Sequence, residues 1–171
     1  MNILQIALLT VFPALMIMAG LTDVTSFTIP NRISVILALA FVPVALILGR
    51  PMNEIGMDAG VGLLALLAGM GMFAAGWIGG GDAKLFAVAG LWLGWPASIN
   101  FLMVTALAGG GLAVVLLNAR SSVVRAHLSG VPTWLDRLTT PGADVPYGVA
   151  IAIGALTAFP QCGLMQGVHG L

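Results

Sequence analysis

Charge is what this sequence has least of. Six Lys/Arg and six Asp/Glu make up only 7% of 171 residues, against about a quarter in an ordinary soluble domain. The formal net charge is zero, and no basic cluster is present to form a nucleic-acid-binding face. Cysteine is nearly absent as well. Cys162 stands alone, which excludes an internal disulfide and any CxxC metal pair. Histidine is limited to His127 and His169, far apart and without an HExxH or a Cys/His cluster around them, so no protein-bound metal site and no cofactor is expected. There is one lysine, Lys84, and one tyrosine, Tyr147.

Hydrophobic residues fill the space that charge leaves, at 60% of the chain with a mean hydropathy of +1.09. A chain this short exposes too large a share of its surface to hide that much apolar area from water. The composition therefore predicts an all-α polytopic membrane protein, a single integral membrane domain over residues 1–171 with the bilayer as its main surroundings. On a ruler of about 20 apolar residues per crossing, six helices are expected, at about 3–21, 33–49, 57–78, 83–95, 97–117 and 146–161. The fourth is short for a full crossing. No Lys or Arg precedes the first, which reads as a retained transmembrane helix rather than a cleaved signal.

Punctuation separates these segments. IPN at 29–31 closes the first loop, with Pro30 disfavouring helix before it and Asn31 placed to cap the second helix. GRPMN at 49–53 ends the second helix, and WPAS at 95–98 makes a tight turn. The connection at 118–145 contains VPTWLDRL at 131–138, whose apolar residues recur at helical spacing and suggest a short interfacial helix. Gly62, Gly69 and Gly76 recur every seven residues on the third helix and offer a face for close helix packing. The triplet at 109–111 is open to a packing or a flexing role.

Numbering the connections alternately places Arg32, Lys84, Arg120, Arg125 and Arg137 on one side and Arg50 alone on the other. Positive residues mark the cytoplasmic side. The 22–32 loop, the GGGD stretch at 79–82 and the 118–145 loop are then cytoplasmic, and both termini face out. Asp23 and Asp82 fall on the same membrane face, each at a helix end. Taken singly, Asp23 reads as a solvated loop residue and Asp82 as the cap of the fourth helix. Asp58 reads as a helix-start cap on the opposite face, and Glu54, Asp136 and Asp144 as solvated.

Taken together, Asp23 and Asp82 say more. Two carboxyls close together in a partly desolvated site do not both ionise easily, so one tends to keep a proton. Such a pair supplies a general base for a water and a general acid for a carbonyl oxygen. Gly79, Gly80 and Gly81 leave room for a substrate backbone beside Asp82.

The motifs that carry these acids, the Asp of DVTSFTIPN at 23–31, GGGD at 79–82 and PYG at 146–148, resemble the signatures of the prepilin peptidases, which are membrane aspartyl proteases of the GxGD type. The likeness runs over nearly the whole chain and is to the short CpaA/TadV form that serves Flp-like or Tad type IV pili. It implies an aspartic endopeptidase of the bacterial cytoplasmic (inner) membrane that cuts prepilin leaders at the cytoplasmic face without a cofactor. Prepilins are the implied substrates and the pilus-assembly machinery an implied partner. By motif, Asp23 and Asp82 are the implied catalytic pair. Pro30, Asn31 and the three glycines are implied to shape the site. Lys84 stands where a basic residue often follows GxGD, as an orienting or substrate-facing group or as an interfacial anchor. Tyr147 either shapes the site or packs in the core. Longer family members carry paired CxxC motifs linked to N-methylation. With Cys162 alone, cleavage without methylation is the expectation.

Two other classes compete with this reading. A small transporter or channel component would use the same acids to line an ion path. A non-catalytic pilus-assembly subunit would use them only as caps.

Overall fold

A helix of small residues can bring its neighbours closer than a helix of large ones, and in lipid such close contact is a main source of helix association. The sequence AKLFAVAGLWL at 83–93 sets Ala83, Ala87, Ala89 and Gly90 among larger residues. In the computed structural model, which describes residues 3–121 and 131–169, this segment is the buried centre of an all-helical bundle. Arg125 and His127 lie outside the described residues.

The described chain runs through α1 (Ile3–Ser26), α2 (Asn31–Ile47), α3 (Met52–Ala74), α4 (Gly80–Leu93), α5 (Ala97–Ala119), α6 (Thr133–Thr139), α7 (Tyr147–Ala158), a 3-10 turn (Phe159–Gln161) and α8 (Gly163–His169). α4 is packed by α2, α3 and α7, while α7 also lies against α1 and α5. Glycines set the closest approaches. A Cβ on Gly62 would stand 2.9 Å from the Leu91 Cβ, one on Gly69 3.1 Å from the Ala83 backbone, and one on Gly90 2.9 Å from the Ala65 Cβ. Around the far half of α4, Phe12 stacks on Trp92 with centroids 5.3 Å apart and on Phe159 at 5.0 Å. The buried Trp92 indole N–H donates to the Leu37 carbonyl at 2.9 Å, so its polar atom is satisfied away from water.

Four segments are long and apolar enough to cross a bilayer: Ile3–Ser26, Met52–Ala74, Ala97–Ala119 and Tyr147–Gln166; Asn31–Ile47 is a shorter apolar helix. α4, with 14 residues, rises only about 21 Å against a hydrocarbon thickness of about 30 Å. It is sheltered by its neighbours rather than by length. Leu39, Leu64, Leu107 and Leu117 point outward, as expected of side chains that meet lipid.

Several expected boundaries move, each for a local reason. α1 continues to Ser26 because Thr22, Thr25 and Ser26 return their hydroxyls to carbonyls of the preceding turn. Asp23 is thus in the last turn of a helix and buried, not a solvated loop residue. α2 begins at Asn31 with Pro30 as its cap, so Asn31 is the first helical residue rather than the capping one. α3 begins at Met52 after Pro51 and stops at Ala74. Gly76 lies beyond it with φ +73°, where the Trp77 N–H reaches back to the Met72 carbonyl and the Gly76 N–H to Phe73, a Schellman closure that needs glycine. Gly76 therefore belongs to a turn and not to the packing face of Gly62 and Gly69. α4 begins at Gly80, with Gly79 as N-cap, so Asp82 is in the first turn rather than at the cap. The Trp95–Ser98 turn contains a cis Trp95–Pro96 peptide. The short helix expected at 131–138 is present as α6. Of the glycine triplet, Gly109 packs, with Tyr147 Cε1 3.3 Å from where its Cβ would be, while Gly110 and Gly111 face open space.

Asp58 is the largest departure. It is buried inside α3 and receives the Arg50 Nε–H at 2.6 Å and an Arg50 Nη2–H at 3.0 Å. It is not a cap, because α3 starts six residues earlier and is capped at Pro51. Glu54 takes the remaining arm of Arg50 at 3.0 Å from a half-exposed position. Burial works against the Arg50 charge, but Asp58 outweighs it and holds the guanidinium above its ordinary pKa. Removing one member of a buried pair strands the other. Asp58→Ala is therefore expected to destabilise the fold by about 3–5 kcal/mol, while Glu54→Ala costs less than about 1 kcal/mol. Unfolding in mixed detergent micelles measures both, and equal losses would contradict the assignment.

Candidate active site

The residue after Pro146 decides how α7 starts. Proline fixes φ near −65°, and here Pro146 has φ −73° and ψ 82°. The Tyr147 N–H is thereby turned onto the Val145 carbonyl at 2.9 Å, an inverse γ-turn. The next amide, Gly148, belongs to the first turn of α7 and has no carbonyl within its own helix to bond. It donates instead to Asp23 Oδ2 at 2.7 Å. The Val149 amide turns to the Pro146 carbonyl at 3.3 Å, and the Gly148 amide also lies near Asp82. One backbone N–H thus faces carboxyls contributed by α1 and α4.

A side chain at Gly148 would push on the acid. A Cβ there would lie 2.8 Å from Asp23 Oδ2 and 2.7 Å from Ile29 Cδ1. Gly81 is similarly close to Ile29, whose Cβ would stand 3.2 Å from an added Cβ. Ile29 is itself buried and packs the 27–30 connection against the starts of both α4 and α7.

Asp82 is held by its own helix start. Its Oδ2 accepts the Gly79 N–H at 3.1 Å, one of the amides a helix start leaves without an internal partner. Its Oδ1 is buried and has no hydrogen-bond partner among the described residues. Asp23 and Asp82 are 5% and 8% exposed and close enough for a direct Coulombic interaction. An unclaimed carboxylate oxygen in so enclosed a place is costly to the fold unless something else uses it.

Two hollows meet at this pair. One, of about 220 Å³, is walled by both acids together with Phe27, Trp77, Asp144 and Tyr147. The other, of about 410 Å³, is walled by both acids with Pro30, Asn31, Gly80, Gly81 and Lys84. Gly79 and Phe27 border both. All nine residues singled out in the sequence therefore gather around one place. Lys84 is exposed and donates to Asn31 Oδ1 at 2.9 Å, tying α4 to the start of α2. Tyr147 both walls the first hollow and packs its ring on Gly109, so the two readings of that residue hold together.

Sequence reasoning did not single out Phe27 or Trp77, and it took Gly148 only as part of the PYG motif at 146–148, not as a hydrogen-bond donor. Gly148 had a signal, since a glycine two residues after proline at a helix start presents a free amide. Phe27 had none. It adopts φ +53°, rare for an aromatic residue, because its N–H closes α1 on the Asp23 carbonyl at 2.8 Å, and the Arg137 guanidinium lies 5.5 Å from its ring centroid.

Chemically, paired carboxyls with one unclaimed oxygen, backed by backbone amides and opening onto two hollows, can activate a water against a carbonyl carbon. Residues 10–114 match the model of the type IV leader peptidase family, a stretch that contains both acids but ends before α7. The chain is also 32% identical over 154 residues to the prepilin leader peptidase/N-methyltransferase of Bacillus subtilis (strain 168), an alignment that covers 87% of this chain and 53% of that protein. The chain thus spans about half the length of that relative. No solved structure matches it. The helical fold and the family model agree, and the chain belongs to the type IV leader peptidase family, the prepilin peptidases.

Proposed function

We propose that this chain is an aspartic endopeptidase that removes the leader of type IV prepilins, with Asp23 and Asp82 as its catalytic pair. The observation that carries the reading is the meeting of the two buried acids over one backbone amide, at the junction of two hollows, with one carboxylate oxygen unclaimed. One carboxylate takes a proton from water as the water oxygen bonds to the scissile carbonyl carbon. The other carboxylic acid gives its proton to the carbonyl oxygen. The tetrahedral diol then collapses: one diol hydroxyl returns its proton to the carboxylate that had acted as acid, the C–N bond breaks, and the leaving amine receives the proton that the water gave up. A new carboxyl and a new amine result, and the pair returns to its starting protonation.

The substrates are the Flp/Tad-like prepilins that the short form of the family serves. The relative's name adds N-methyltransferase, and cleavage without methylation is the reading here, since the 171 residues hold one cysteine and no CxxC pair. Residues 1–171 act as a single peptidase domain, with 118–145 as a cytoplasmic loop.

The site faces the cytoplasm of a bacterial inner membrane. Lys84 and Arg32 sit by the start of α2, Arg120 donates to the Leu138 and Asp144 carbonyls, and Arg137 lies over Phe27. Arg50 lies beyond the other end of α2. Cations thus gather at the acid-bearing end, as the positive-inside rule requires of a cytoplasmic face. Both acids do accept helix-start amides, Asp82 from Gly79 and Asp23 from Gly148, but a purely capping role gives no use to the buried, unpartnered Asp82 Oδ1.

Asparagine keeps an acceptor for the Gly79 or Gly148 amide but cannot exchange the proton. Asp23→Asn and Asp82→Asn are each expected to lower cleavage of a co-expressed prepilin by at least about 10²-fold while leaving the inserted protein intact. Processing at the wild-type rate by either variant sinks the pair. Gly148→Ala displaces Asp23 without removing it, and a fall on the order of 10²-fold in kcat is expected from single-turnover assays. Single cysteines placed at Phe27 and Gly79 should react with a membrane-impermeant maleimide only from the cytoplasmic side. Labelling from the outside would reverse the orientation.

A further inference from the structure

The two hollows that meet at Asp23 and Asp82 carry opposite charge in their outer walls. The smaller adds Asp144 and no basic residue, and the larger adds Lys84 and no third acid. A peptide crossing the pair would therefore meet an acidic wall on one side of the cut and a lysine on the other.

Asp144 is held in place through its backbone. An Arg120 Nη2–H donates to the Asp144 carbonyl at 2.9 Å, and the Arg120 Nε–H donates to the Leu138 carbonyl at 3.0 Å. These bonds fix the connection between α6 and α7 and leave the Asp144 carboxylate unengaged. It is exposed, and among the described residues no cation lies within ion-pair distance of it. Asp82, with its buried, unpartnered Oδ1, lines the same hollow. Trp77, exposed in that wall as well, offers an indole face of the kind that attracts a lysine or arginine head group. A fixed acid with no counter-ion among the described residues, with an aromatic face in the same wall, concentrates cations there.

We propose that Asp144 is a specificity determinant that pairs with a Lys or Arg side chain of the substrate on one side of the scissile bond, while the Lys84 hollow receives the other side. The proposal rests on the peptidase reading of the same site.

The test uses the full chain in proteoliposomes and prepilin-type peptides that are identical except for Lys, Gln or Glu at one position, scanned over both sides of the cut. The ratio of the three is read from kcat/KM and, independently of turnover, from peptide binding. The wild type should favour Lys over Gln by roughly threefold to tenfold on one side only, the range of one partly exposed ion pair, and mainly through KM. Asp144→Asn should level the ratio, Asp144→Lys should turn it toward Glu, and Asp144→Glu should keep it. A Lys preference that Asp144→Asn and Asp144→Lys leave intact overturns the proposal and leaves the peptidase standing. So does an Asp144→Glu ratio as flat as that of Asp144→Asn. Failure of the wild type to cleave any of the peptides overturns both readings together.

Discussion

The hydrogen bond from the Gly148 amide to Asp23 joins what the rest of the structure must hold apart in sequence. Its donor and acceptor are 125 residues apart along the chain, and the same amide faces Asp82. For that bond to exist, the last turn of α1 and the first turn of α7 must end at one level, and Asp82 brings the first turn of α4 to the same two hollows. The bundle is arranged around that requirement. α4 is short and meets α3 closely at Gly62, Gly69 and Gly90, and α7 lies against α1 and α5. Both carboxyls then draw on amides that helix starts leave free.

The opposite end of the bundle treats its acid differently. Asp58 is also buried, but a bidentate arginine consumes both of its oxygens. A buried ion pair of this kind ties Arg50 to α3 and leaves no open atom for chemistry. The contrast separates a structural acid from the proposed catalytic ones more cleanly than burial does, since Asp23, Asp58 and Asp82 are all nearly inaccessible. What differs is the partner. At Asp58 it is a cation, and at the other two it is a backbone amide, with the Asp82 Oδ1 left over.

The connection from α6 to α7 links the loop to the site. Arg120 grips its carbonyls and Arg137 lies over Phe27, the residue whose strained backbone ends α1. The loop thus contributes Asp144, Val145 and Tyr147 to the first hollow, on a segment that lies past the end of the family-model match.

Much of this was legible in the sequence, for reasons of composition and spacing. Apolar runs of membrane length and the near absence of charge determined a helical membrane protein, and the uneven distribution of Lys and Arg grouped Asp23 with Asp82 on one face. Turn residues located most connections, because Pro30, Gly49, Pro96 and Pro146 act locally. What the sequence did not determine depended on side chains meeting across helices. Threonine and serine back-bonding carried α1 past Asp23. Arg50 reached Asp58 over eight residues and made a presumed cap into a buried ion pair. Gly148 became a hydrogen-bond donor to an acid on another helix. Local preference specifies where a helix starts and stops, but only packing brings its free amides to a particular carboxyl, and that was left to the tertiary structure.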